Sequence, residues 1–106
     1  MRSKAKRSKP FDATKYLDSD EAIAEYITEA LLTDDGGVIT RAIGVAAKAR
    51  GMSHIAQQTG LSRESLYKAL GGDGNPQFET IYLVLKALGL RLRAEPVRGG
   101  KGKRAA

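Results

Sequence analysis

The sequence predicts an all-α fold, a five-helix domain with an extra N-terminal helical segment and a short C-terminal strand or arm. Three observations predict it. Apolar residues recur at three- and four-residue steps through most of the chain. Helix caps and stops fall between these periodic runs. Strict two-residue alternation appears once, in "LRLRAEPV" (90 to 97),.

The first helix is expected to start near Asp18 or Ser19. Asp18 with Glu21 three residues on reads as a capping box, with acids at the positive helix end,. Ala22, Ile23, Tyr26, Ile27, Ala30 and Leu31 form its apolar stripe, and Glu21, Glu25 and Glu29 an acidic stripe beside it. Upstream, Phe11, Tyr16 and Leu17 are expected to pack on the domain. "TDDGG" (33 to 37) ends this element. A second helix is expected from Val38 to Arg50, with Val38, Ile39, Ala42, Ile43, Val45, Ala46 and Ala49 inward and Gly51 as its stop,. Ser53 is expected to cap a third helix, His54 to Thr59, and Ser62 a fourth, Arg63 to Leu70,. After "GGDGNP" (71 to 76), Asn75 as cap and Pro76 as first residue would open a fifth helix. Phe78, Ile81, Val84, Leu85 and Leu88 are its expected inward residues, and Gly89 its end. A strand at 90–97 would need a partner, such as a second copy of the chain.

Composition narrows the function. With 106 residues the chain suits one small domain,. It has no Cys, so a disulfide scaffold or cysteine-based zinc site is excluded, and a lone His54 builds no metal cluster,. No stretch approaches the roughly 18 apolar residues a membrane span needs, and no leader is evident. A soluble, cytoplasmic protein is expected. No carboxylate pair sits with a nucleophile, and the glycine loop lacks a nucleotide-site context. No catalytic residue, cofactor or metal is therefore expected, and the chain is read as no enzyme.

The net charge of +6 is unevenly spread. Residues 1–10 and 98–106 read as disordered basic tails able to attract phosphates without regard to sequence. Residues 12 to 35 hold eight acids and one base, while 38 to 75 hold five bases and two acids. The expected organisation is an acidic helical segment at 11–37, then a helix-turn-helix domain with C-terminal arm at 38–97. One half repels nucleic acid and the other attracts it.

"HIAQQTGLSRESLYKAL" (54 to 70) carries the sharpest signal. Two short helices joined by a short glycine-containing turn describe a helix-turn-helix. Ala56 is small enough for the crossing, Gly60 suits a turn needing positive φ, and Ile55, Leu61, Leu66 and Leu70 lock the angle. The second helix would enter the major groove with Arg63, Glu64, Tyr67 and Lys68 outward. Arg63 can pair with a guanine, Glu64 can accept from cytosine, and Tyr67 can meet a thymine methyl or a phosphate. Lys68, Gln57, Ser62, Ser65 and Asn75 are candidate DNA-backbone contacts. Each of these is otherwise an ordinary solvated side chain.

Helix 38–50, the two motif helices and "NPQFETIYLVLKALGL" (75 to 90) resemble the Cro and lambda-repressor type of domain. "FDATKYLDSDEAIAEYITEAL", "ARGMSHIAQQTGLSRESLYKAL" and "GNPQFETIYLVLKALGLRL" more specifically resemble HigA-like antitoxins, probable addiction-module antidotes, over roughly 11 to 95. The resemblance implies two tasks. One is to neutralise a small, co-expressed basic toxin of the RelE/ParE-like class, commonly RNA-cleaving. The other is to bind operator DNA as a homodimer and repress its own operon. Glu21, Glu25 and Glu29 are the expected toxin contacts; a solvated helix face is the other reading. The dimer surface is expected at the arm Leu90 to Val97 or at the helix from Phe78. A phage-type or stand-alone regulator shares the same DNA chemistry. A pure protein-binding inhibitor using the motif as scaffold is the reading from another class.

Overall fold

Ser19 opens the first regular helix. A computed structural model of the chain describes residues 13–71 and 74–97. The expected basic tails and Phe11 lie outside these residues. A short 3-10 turn, Ala13–Tyr16, leads in. Helix α1 then runs Asp20–Leu31. Ser19, in extended backbone, accepts the Ala22 N–H at 3.1 Å. This corrects the expected Asp18 box: the hydroxyl one residue later reaches the third helical N–H. Asp20 and Glu21 still sit in the first turn, where acids favour the helix dipole,. Ile23, Ile27 and Ala30 are buried, but Leu31 is half exposed, so the apolar stripe stops at Ala30.

The "TDDGG" stretch both stops α1 and starts its successor. The Thr33 hydroxyl donates to the Ala30 carbonyl (2.6 Å) and accepts from the Asp35 N–H (3.1 Å). Asp35 Oδ1 then accepts from the N–H groups of Gly37 and Val38. Helix α2 therefore begins earlier than expected and spans Gly36–Arg50. It buries Ala42, Ile43, Ala46 and Ala47 and packs against the lead-in turn, α1, and two later helices.

Helix α3, Met52–Thr59, follows Gly51 at once. Ser53 is inside its first turn and does not cap it; the Gly51 carbonyl already accepts from Ile55 N–H. Gly60 then turns the chain with φ 79°, the left-handed region that glycine enters without cost,. Thr59 reinforces the turn: its hydroxyl donates to the Ile55 carbonyl (2.8 Å) and accepts from the Leu61 N–H (3.2 Å). Helix α4, Arg63–Ala69, is capped by Ser62 as expected.

Helix α5 spans Phe78–Ala87. The expected Asn75 cap is not used. Gln77 stands at the cap position without a side-chain bond, and its carbonyl receives the Ile81 N–H. Val84, Leu85 and Leu88 are buried and Ile81 packs on the core, but Phe78 is 70% exposed, against expectation. The first residue of α5 overshoots the edge of the core. Among the described residues there is no strand. "LRLRAEPV" is an irregular, mostly exposed arm, because an all-helical chain offers its alternating residues no edge to pair with,.

One apolar cluster joins these helices. Leu17, Ile23 and Ile27 share it with Ile43, Ile55, Leu66, Val84 and Leu88. The α3–α4 turn sits on this core through Ile55 and Leu66, both without exposed surface. Gly60→Ala should cost about 1 kcal/mol, because an L side chain is strained at that φ. Gly36→Ala adds a methyl that meets nothing within 4 Å and should stay within about 0.5 kcal/mol of the parent. Urea denaturation of the three proteins checks this.

Candidate nucleic-acid interface

Helix α4 has two sharply different sides. Leu66 is fully buried and Leu70, at its C-cap, nearly so. Four residues apart, they form one inward row. Arg63, Glu64, Ser65, Tyr67 and Lys68 are all exposed. The helix is thus anchored by its apolar row and offers its polar side outward.

Its N-terminus is held by a small serine network. The Ser65 N–H donates to Ser62 Oγ at 3.0 Å, and the Ser62 hydroxyl donates to Ser65 Oγ at 2.9 Å. Ser62 Oγ thus serves the cap through a lone pair, and both hydroxyls are exposed and can turn to an outside acceptor,.

Gln57 is exposed on α3, one helix before. Asn75 is exposed between α4 and α5, away from any helix cap. Arg63 and Lys68 make no ion pair among the described residues. Arg50, by contrast, is paired with Asp20, tying the end of α2 to the start of α1. An ion pair this open contributes at most about 1 kcal/mol, and it turns Arg50 toward α1.

Sequence reasoning missed two further cations. Arg41 and Lys48, both exposed on α2, line a hollow of about 240 Å³ that also touches Tyr67 and Gly71. They extend the cationic character of α4 sideways onto α2. The signal was present in their seven-residue spacing, two turns along one helix face, but that face could be placed beside α4 only by the fold.

Gly44 makes this juxtaposition possible. A Cβ there would lie 2.7 Å from the Leu70 carbonyl oxygen and 3.2 Å from Leu70 Cβ. Helix α2 can approach the end of α4 only because that carbon is missing. A glycine inside a helix costs roughly 1 kcal/mol relative to alanine, and that cost was the available clue.

Comparison with known proteins bears on this arrangement. Residues 7–96 match the model of a family described as "Probable addiction module antidote protein". The chain belongs to that family. A protein of Haemophilus influenzae described as "Uncharacterized protein" is 47% identical over 90 residues, covering 85% of this chain and 93% of that one. No solved structure matches the chain.

An addiction-module antidote implies a toxin partner, so a second surface is relevant. Glu21, Glu25 and Glu29 are exposed along α1. Leu32, three residues beyond Glu29, continues that side of the helix and is 73% exposed. The acidic stripe therefore ends on an uncovered leucine, which sequence reasoning did not single out. Among the described residues no helix is long and apolar enough to cross a membrane.

Gly44→Ala should destabilise the protein by about 1–3 kcal/mol, because the new methyl must push the Leu70 carbonyl and with it the end of α4,. Thermal unfolding followed by circular dichroism checks it. An unchanged melting temperature would show that α2 and α4 do not meet there.

Proposed function

We propose that the protein is the antitoxin of a type II toxin–antitoxin module. It neutralises a small basic toxin of the RelE/ParE-like class through the α1 side, and it represses its own operon by binding operator DNA as a dimer. Helices α3 and α4 act as a helix-turn-helix in a domain of the lambda-repressor type. Membership of the antidote family supports the toxin partner. The observation that carries the DNA reading is α4 itself, anchored by buried Leu66 while Arg63, Glu64, Ser65, Tyr67 and Lys68 remain exposed.

The mechanism is binding without bond chemistry. Arg63 and Glu64 stand in the first turn of α4, the end that meets base edges in this docking mode,. Arg63 offers a planar fork to guanine. Ser65 and Tyr67 offer hydroxyls, and Lys68, Arg41 and Lys48 neutralise phosphates on either side. Phosphate contacts set register and base contacts set sequence. A dimer presents two such helices about 34 Å apart, one turn of DNA.

Toxin capture uses the opposite charge. The glutamates of α1 attract a basic partner, and Leu32 adds apolar area where the stripe ends. The same acids repel DNA phosphates, so they keep α1 away from the duplex and free for the toxin.

Fluorescence anisotropy with promoter DNA tests the DNA half. Arg63→Ala should weaken cognate binding by about 1–3 kcal/mol and relax specificity at one position. Lys68→Ala should weaken cognate and random DNA alike and lower the salt slope by about one. Parent-like operator binding by Arg63→Ala contradicts the assignment of α4. Co-purification tests the toxin half. Reversing charge at Glu21, Glu25 and Glu29 together should reduce toxin recovery several-fold, and undiminished recovery moves the toxin surface elsewhere.

A further inference from the structure

Helix α5 leaves aromatic surface uncovered. Phe78 is 70% exposed and Tyr82 40% exposed. Their rings stack with centroids 6.1 Å apart and planes 21° apart. The Lys86 ammonium lies 5.7 Å from the Tyr82 ring centre. Phe78, Tyr82 and Lys86 follow one another at four-residue steps, with Phe78 exposed where α5 runs past the edge of the core and Tyr82 and Lys86 on the uncovered side. Glu79 is exposed beside it, while Val84, Leu85 and Leu88 hold the inward side.

The charge on this face is self-complementary. Glu79 and Lys86 are seven residues apart, two helical turns, so they lie on one side of α5. Their midpoint falls between Tyr82 and Leu83. When a second α5 lies antiparallel across a two-fold axis at that midpoint, each Glu79 comes level with the other copy's Lys86. Tyr82 then lies beside its own copy at the axis. Both pairings form at once, because an isologous contact repeats every interaction.

We propose that the occupant of this face is a second copy of the same chain, joined through antiparallel α5 helices around Tyr82 with reciprocal Glu79–Lys86 ion pairs. The inference deepens the dimer of the proposed function and rests on that reading only for its biological use. A ten-residue helix is about 15 Å long, and a stable interface takes about 800 Å² from each partner. The rest comes from the arm that follows α5, where Leu92 is 44% and Val97 81% exposed. The arm extends the contact and α5 sets its symmetry.

The test uses sedimentation velocity on the full chain. The parent should sediment as a dimer. Glu79→Lys places like charges opposite each other twice, and so does Lys86→Glu; each variant alone should dimerise at least about tenfold more weakly. Mixed in equal amounts, the two variants should recover the dimer, since every cross pairing is again between opposite charges. Folding defects cannot produce that recovery, and circular dichroism confirms that each variant is helical. A monomeric parent, single variants that dimerise like the parent, or a mixture no more dimeric than its components each overturns the proposal. Operator binding and toxin recovery are measured separately on the parent. Their failure removes the functional reading and leaves the sedimentation result standing.

Discussion

The burial of Leu66 is the constraint on which the rest depends. It is the one residue of α4 itself that is fully buried, and Leu70 follows it inward at the C-cap. Burying one leucine contributes about 1.5–3 kcal/mol, and a seven-residue helix is too short to be stable alone. Helix α4 therefore exists because the core receives that row. Its residues on the other side are free of packing duties and can be chosen for a ligand. Gly60 sets where the helix starts, Ser62 closes its N-terminus, and Gly44 sets how closely α2 supports its end.

In the proposed function the two charge signs divide labour around this anchor. Helix α1 belongs to the same apolar cluster through Ile23 and Ile27, so its acids are fixed relative to α4 rather than carried on a loose extension. The Arg50–Asp20 pair spans the end of α2 and the start of α1. Within the proposed function, this lets one small domain hold two partners of opposite charge without either competing for the other's surface. The proposed contact between α5 helices then adds a third surface.

The sequence made the α3–α4 turn legible because its determinants are local. A glycine with positive φ, a serine cap and an apolar pair four residues apart need only their neighbours to be interpreted, and Gly60, Ser62 and Leu66 with Leu70 stand where they were expected. What was misread depended on distant parts of the chain. Phe78 fits the periodicity of α5 but lies beyond the edge of the core. The alternation in "LRLRAEPV" has no strand beside it. Ser53 looked like a cap, yet the Gly51 carbonyl had already begun the helix. Gly44, Arg41 and Lys48 gained their meaning only when α2 was laid against α4. The position of the helices was readable from spacing, and the composition of the surfaces between them was not.

The most direct measurement of the central claim, that the exposed side of α4 reads DNA, uses the absence of cysteine in the chain. A single cysteine placed by Glu64→Cys can carry an iron chelate that cuts nearby deoxyribose, and Glu25→Cys on α1 serves as the comparison. The account predicts localised cleavage of promoter DNA from position 64 and none from position 25. Cleavage from position 25, or intact DNA beside a bound protein labelled at position 64, would contradict it.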